Sequence, residues 1–147
     1  MSHRTLFTAV ATLLIAAGCA KDSSTNSTHM WNTPFSYVGK DSLGATFVTG
    51  SLTIVVNDSA AMSGTWKLDS IPGTATMKFG PQFGTGTWMG GLSGTTLTMN
   101  LNPGWADDNV VLVGKLDRSQ SSAHYAGRWS HVTLLGETNH GTFEAQQ

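Results

Sequence analysis

The chain has 147 residues, of which 12% are charged, and its formal net charge is −1. This length suits a single domain, and without a basic stripe there is no electrostatic basis for nucleic-acid binding. Cys19 is the only cysteine, so a disulfide framework within one chain and a multi-cysteine metal site are both excluded.

Residues 1–18 have the pattern of an export signal. His3 and Arg4 precede an apolar stretch, residues 6–17, which has the length of a signal-peptide core and is too short to span a bilayer comfortably. The motif Ala16-Ala17-Gly18-Cys19 that follows resembles the lipobox of bacterial lipoproteins. The resemblance implies that Cys19 receives a diacylglyceryl group and becomes the mature N-terminus. The alternative is an ordinary cleaved signal with an incidental cysteine.

The residues after Cys19 bear on the destination of the protein. Ala20 and Lys21 do not resemble the inner-membrane retention signal, which has Asp directly after the lipidated cysteine. We therefore expect a lipid-anchored protein of the cell envelope, in the outer membrane and facing the periplasm or the cell surface. Residues 19–29 are polar and lack periodicity, which predicts a flexible tether, and residues 30–147 form the predicted domain.

The domain is rich in β-strand signals. Residues 30–38 are predicted as a leading strand or a segment packed across one end, because Pro34 argues against a central strand. Alternating apolar residues then predict eight strands separated by turn signals. These strands are expected at residues 45–57, 62–69, 74–79, 84–101 (a hairpin of two strands, with Gly90, Gly91 and Gly94 at its reversal), 109–117, 124–132 and 138–145.

This succession of short strands predicts an all-β fold, an eight-stranded antiparallel up-and-down barrel. Closure removes exposed sheet edges, which a weakly charged chain has few other means to protect. A closed barrel of eight strands is either filled with side chains or holds one small ligand.

Six glycines each lie two residues before a bulky side chain, and the two therefore share a strand face. The pairs are Gly50/Leu52, Gly64/Trp66, Gly86/Trp88, Gly114/Leu116, Gly127/Trp129 and Gly141/Phe143. Glycine permits the strong bend of a strand in a small closed sheet, and it leaves space for a large ring of the neighbouring strand. The pattern therefore predicts curvature before it predicts any ligand.

Segments around these glycines are similar to those of the calycin-like barrels, the lipocalins and avidins. They are Ser63-Gly64-Thr65-Trp66, Val113-Gly114-Lys115-Leu116, Ala126-Gly127-Arg128-Trp129 and His140-Gly141-Thr142-Phe143. The resemblance implies a barrel of lipocalin-like or avidin-like form. Avidins carry an Asp before the terminal Thr-Phe that helps to hold biotin, and Gly141 takes that position here. The resemblance therefore does not extend to biotin binding.

Four tryptophans are the candidate ligand-binding residues. Trp66, Trp88 and Trp129 lie on predicted strands, where they either line an apolar cavity with their N–H groups offered to a ligand or fill the barrel. Trp105 lies in the polar connection 102–109. There it is either a lid or contact residue at the barrel mouth, or it folds back over an open barrel end.

Signals for catalysis and metal binding are weak. The oxygen-rich residues 102–109 lack the ligand spacing of an EF-hand loop, and the histidines of the domain lie at different strand ends. The spacing of Glu137 and Glu144 does not suggest an acid–base pair. We therefore predict that the protein is not an enzyme and has no catalytic residue, metal or cofactor.

The predicted function is that of an exported lipoprotein whose barrel binds a small apolar ligand, in its interior or at its mouth. Its expected partners are this ligand and the membrane that holds Cys19, with no nucleic acid. The alternative is a non-enzymatic interaction module of the cell envelope, with a solid barrel whose loops contact envelope proteins or glycans.

Overall fold

The computed structural model describes residues 29–30, 34–56, 61–73, 83–118 and 122–147. They form ten strands: β1 His29–Met30, β2 Phe35–Asp41, β3 Thr46–Leu52, β4 Val55–Val56, β5 Ala61–Ser70, β6 Gly84–Ser93, β7 Thr96–Asn100, β8 Asn109–Asp117, β9 His124–Thr133 and β10 Gly136–Gln146. In this part of the chain, no helix is long and apolar enough to cross a membrane. The predicted signal, Cys19 and the tether up to residue 28 lie outside the described residues.

Eight of these strands close into an antiparallel barrel, as the sequence predicts. The order around the barrel is β2, β3, β5, β6, β7, β8, β9 and β10, and β10 pairs back with β2. Each barrel strand pairs with the next one along the chain, which confirms the up-and-down topology. The short β4 continues along β5 after β3 ends, and β1 pairs with β4.

The strands that form the barrel differ in two places from those that the sequence predicts. Strand β2 is a full barrel strand between β3 and β10, because Pro34 precedes it and removes no hydrogen bond from the ladder. Strands β5 and β6 pair directly with each other, from Ala61 opposite Gly91 to Leu68 opposite Gly84. The predicted strand at residues 74–79 lies outside the described residues, and the eight strands of the barrel are complete without it.

The central hairpin also reverses later than its glycines suggest. Strand β6 continues to Ser93, and of the three glycines only Gly94 has a positive φ, 60°. Gly90 serves a different purpose, because a Cβ there would lie 1.8 Å from the carbonyl oxygen of Thr98 on β7. Glycine at this position lets the two arms of the hairpin approach each other closely.

The barrel interior is filled by the apolar side chains of alternate strand positions. The Tyr37 and Tyr125 rings flank Phe143, with centroids 5.9 and 4.6 Å from its ring, and Phe47 packs 5.2 Å from Trp129. The largest fully buried side chains are Trp88, Trp129, Tyr37, Tyr125, Phe35, Leu52, Ile54, Leu68, Leu97, Met99, Leu101 and Leu112.

Glycines make room for the buried indoles, as the repeated pattern predicts. A Cβ on Gly86 would lie 2.6 Å from the ring of Trp66, and one on Gly64 would lie 2.5 Å from Nε1 of Trp88. Each of these glycines lies directly opposite the tryptophan that crosses it, in the register of β5 and β6. The two Gly-x-Trp units are therefore reciprocal, each supplying the space for the other's ring.

Candidate functional site

The up-and-down topology brings four links to one end of the barrel, because every second link of an antiparallel meander lies at the same end. We call it the loop end: its described residues are 42–45, 71–73, 83, 101–108 and 134–135, between β2 and β3, β5 and β6, β7 and β8, and β9 and β10. At the opposite end of the barrel, β2 begins and β10 finishes. All four sequence-predicted tryptophans can be placed relative to this geometry.

Three of the tryptophans make structural contacts within the barrel. The indole N–H groups of Trp88 and Trp129 donate to the carbonyl oxygens of Thr53 and Lys40, at 2.8 and 2.7 Å, and both rings are fully buried. The Trp66 N–H donates to the carbonyl oxygen of Leu101 at 2.9 Å. Each indole thus crosses the neighbouring strand and ties to backbone beyond it. None of the three N–H groups is offered to a ligand.

The position that avidins fill with Asp is closed in this barrel. A Cβ on Gly141 would lie 2.0 Å from the carbonyl oxygen of Lys40 and 2.6 Å from Nε1 of Trp129. Gly141 therefore lies under the hydrogen bond that joins these two residues. A carboxylate side chain has no room here, so the departure from the avidin pattern at this position is required by the packing.

Trp105 lies in the opposite situation, at the loop end with 69% of its surface exposed. It does not fold back over the barrel. It borders an open cavity of about 390 Å³, together with Trp66, Phe83, Pro103 and Leu101, and the other lining residues are Thr85, Gly86, Thr87, Asn102 and Gly104. The described lining combines aromatic rings with hydroxyl and amide groups, and none of these described side chains is charged.

The backbone around Trp105 is held by local hydrogen bonds. The Trp105 N–H donates to the carbonyl oxygen of Asn102 at 3.2 Å, and the Asn109 side-chain amide donates to the Trp105 carbonyl oxygen at 3.1 Å. Link 101–108 is therefore an ordered loop, and it presents the Trp105 ring on a defined backbone.

A buried histidine fixes the base of the same loop. Among the described residues, His131 is the one polar or charged residue that is buried in the core, with 8% of its surface exposed. Its Nε2 lies 2.5 Å from Oδ1 of Asp108, and its Nδ1 lies 2.7 Å from Oγ1 of Thr138. An ionised carboxylate only accepts hydrogen bonds, so Nε2 donates to Asp108. Among the described non-glycine residues, Asp108 alone has a positive φ, 65°. The contact with His131 holds its backbone in this conformation.

The sequence pattern does not predict this contact. Asp108 and His131 are separated by 23 residues, and nothing in the local pattern joins them. The weak signal was the oxygen-rich run itself, whose carboxylates have structural partners: Oδ1 of Asp107 accepts from the backbone N–H groups of Asp108 and Leu134, at 2.9 and 2.8 Å. Both carboxylates thus join link 101–108 to β9 and to the β9–β10 hairpin.

The other ion pairs of the described residues are formed by exposed side chains of β9 and β10. His124 contacts Glu144 at 3.0 Å, and Glu137 contacts both Arg128 and His140, at 3.1 Å in the case of His140. Glu137 and Glu144 are therefore each engaged with basic partners and do not form a carboxylate pair with each other.

Comparison with known proteins identifies the fold. No model of a known protein family matches the chain, and no curated protein matches it. Among solved structures, the complex of short afifavidin with biotin has 16% identity and a TM-score of 0.52, covering 77% of this chain and 86% of that one. Intact afifavidin in its apo form has 17% identity and a TM-score of 0.51, covering 77% and 79%. The chain thus shares the avidin-like barrel fold.

Proposed function

We propose that this protein is a lipid-anchored, non-enzymatic binding protein of the cell envelope that holds a small apolar ligand at the loop end of its barrel. The observation that carries the proposal is the cavity of about 390 Å³ beside Trp105. An exposed indole next to a concave, uncharged lining is the usual composition of a small-molecule site, in which rings supply contact area and a few polar groups orient the ligand.

The packing of the interior favours a ligand at the mouth of the barrel over a ligand in its centre. Trp88 and Trp129 are fully buried and their N–H groups are hydrogen bonded to backbone carbonyls. A ligand in the centre would have to displace these rings and leave the carbonyls unpaired, which costs about 1–3 kcal/mol for each buried group. The afifavidin–biotin complex supports a small ligand for a barrel of this architecture, while the closed position 141 argues against biotin.

The test is a titration monitored by tryptophan fluorescence, with fatty acids, retinoids and a hydrophobic dye. We expect one class to bind saturably and to shift the Trp105 emission to shorter wavelength, because the indole leaves water. Trp105→Ala should weaken binding about tenfold or more, as loss of a central aromatic contact does. Met89→Ala, an exposed site on the outer face of β6, is the matched control and should bind as the unmodified chain does.

The filled interior also favours a second candidate, the solid-barrel interaction module. The two differ in the same titration: no saturable response to any compound of the panel would contradict ligand binding at the mouth. Binding that keeps its affinity in Trp105→Ala would contradict the assignment of the site. A protein or glycan partner would then be the function to pursue.

The anchor has a separate test. The motif around Cys19 supports lipidation, and acyl chains give stable membrane binding when more than one is present. We expect the protein in the membrane fraction, resistant to a salt wash, and we expect Cys19→Ser to release it. Retention of Cys19→Ser after the wash would contradict the lipid anchor without affecting the ligand site.

A further inference from the structure

Exposed apolar side chains concentrate at one end of the barrel. Each of the four links of the loop end carries at least one large hydrophobic residue that is exposed. We call these five residues the apolar rim: Leu43 (90% exposed), Phe83, Trp105, Leu134 (78%) and Leu135 (98%). Among the described residues, the other large hydrophobics of this kind are Met89 and Val113, which lie on the outer faces of β6 and β8.

The backbone presents the rim residues at the tips of turns. Leu43 lies in a turn whose N–H groups at Leu43 and Ala45 donate to Oδ1 of Asp41, at 2.9 and 2.8 Å. Leu134 and Leu135 form the two-residue turn between β9 and β10, and the Leu134 N–H donates to Asp107. These leucines are therefore held away from the core. Apolar side chains fixed in water on several neighbouring loops mark a surface that is covered by something else.

We propose that the apolar rim inserts into the interfacial region of a lipid bilayer. The side chains of the rim project from four separate links around a closed barrel. A bilayer accepts separate projecting side chains, with leucines among the upper acyl chains and an indole at headgroup level. Phe83 and Trp105 also line the proposed ligand cavity, whereas Leu43, Leu134 and Leu135 do not, so the rim extends beyond the ligand site.

The charges at this end fit an uncharged lipid surface. Asp41 and Asp107 accept backbone N–H groups within the links, and Asp108 is paired with His131. Their hydrogen-bonding needs are thus met in part by the protein. The described residues of the four links contain no Lys or Arg, and Arg128 beside them is paired with Glu137. We therefore expect insertion into zwitterionic phosphatidylcholine, with no requirement for anionic lipid.

The proposed anchor is long enough to allow this orientation, and this step depends on the proposed lipidation. Strand β1 lies beside β4, which runs towards the end opposite the rim. The segment from Cys19 to His29 spans at most about 33–36 Å. Ten-residue strands at the usual tilt give a barrel about 25 Å high. The rim can therefore reach the membrane that holds the acylated cysteine.

The experiment uses the full chain on phosphatidylcholine vesicles with brominated or ordinary acyl chains. Bromine quenches tryptophan only within the bilayer, and Trp105→Phe identifies the part of the signal that belongs to Trp105. We expect that part to be quenched by brominated lipid and shielded from iodide in the water. Leu134→Ser/Leu135→Ser should lower the bromine quenching several-fold, and Met89→Ser should leave it unchanged.

The measurement remains decisive if the anchor or the ligand site is wrong. A chain without acyl groups is added to the vesicles from solution at increasing lipid concentration, and no ligand is present. Trp105 emission that stays open to iodide and insensitive to bromine overturns the proposal, as does quenching that the double serine variant leaves intact. Quenching that requires anionic lipid would contradict the uncharged surface.

Discussion

The buried tryptophans and Trp105 show how one residue type serves two regions of this barrel. In the interior, Trp66, Trp88 and Trp129 cross over glycines and donate their N–H groups to backbone carbonyls. At the loop end, Trp105 leaves most of its ring in water on a backbone held by its own hydrogen bonds. In the interior, indoles join strands through hydrogen bonds, whereas at the loop end the indole of Trp105 is exposed and can contact another molecule.

The largest difference between the regions is expected from truncating one indole in each. Trp88→Ala should lower the free energy of unfolding by about 3–5 kcal/mol, because it leaves a cavity and an unpaired carbonyl at Thr53. Trp105→Ala should stay within about 0.5 kcal/mol of the unmodified chain. Urea unfolding followed by circular dichroism measures both. Equal losses in the two variants would contradict the division of roles.

Glycine substitutions test the same comparison between the interior and the loop end, with a smaller expected effect on the free energy of unfolding. Gly141→Ala should cost about 3 kcal/mol, near the upper end for overpacking, because the new Cβ meets the Lys40 carbonyl and backbone cannot move aside easily. Gly104 at the loop end has no atom within 4 Å of a Cβ, so Gly104→Ala is the matched control and should be nearly neutral. If Gly141→Ala also unfolds at the urea concentration of the unmodified chain, the close approach at this glycine is wrong.

The sequence predicted the barrel because its signals are local. Alternation, turn residues and the Gly-x-large pairs each depend on neighbours within a strand, and they specified eight antiparallel strands in up-and-down order. Pro34 misled the interpretation of β2, since its position just before the strand cannot be distinguished from a position inside it without pairing information. The direct pairing of β5 with β6 likewise depends on register across the sheet.

The candidate site was less predictable, because exposure and partners depend on distant residues. The sequence places Trp66 on a strand and Trp105 in a loop, but it leaves open whether either ring is available to a ligand, and only the structure shows that one ring is buried and the other exposed. The contact between Asp108 and His131 joins a loop to a strand 23 residues away. The rim at the loop end emerges only when four links, far apart along the chain, are brought to one end by closure of the barrel.

Alkaline pH probes the interior through its two tyrosines. Burial raises the pKa of Tyr37 and of Tyr125, and for Tyr125 the proximity of Tyr37 raises it further. Because the folded-state pKa lies above the unfolded value of about 10, the stabilisation is complete below pH 10 and is lost as pH rises. We expect a loss of about 1.4 kcal/mol per tyrosine at pH 11. Urea midpoints at pH 8, 10 and 11 measure it, and a constant midpoint would show tyrosines already open to water.

The smallest expected difference in stability is between variants that remove the hydroxyl of Tyr37 or of Tyr125. The Tyr125 hydroxyl donates to the carbonyl oxygen of Leu97 at 3.1 Å, whereas the Tyr37 hydroxyl is buried without a hydrogen-bond partner among the described residues. Tyr125→Phe should therefore cost about 1 kcal/mol, and Tyr37→Phe should be neutral or slightly stabilising, because it removes an unsatisfied polar group and keeps the ring stacked on Phe143.

These two variants are each other's control, since both keep the ring and remove one titrating group from the interior. Unfolding at pH 8 compares their hydrogen bonds, and the same measurement at pH 11 should show either variant losing only half of the alkaline destabilisation of the unmodified chain. A cost for Tyr37→Phe equal to that of Tyr125→Phe at pH 8 would mean that the Tyr37 hydroxyl has a partner in solution, such as a buried water. The interior would then contain a polar site that its packed rings conceal.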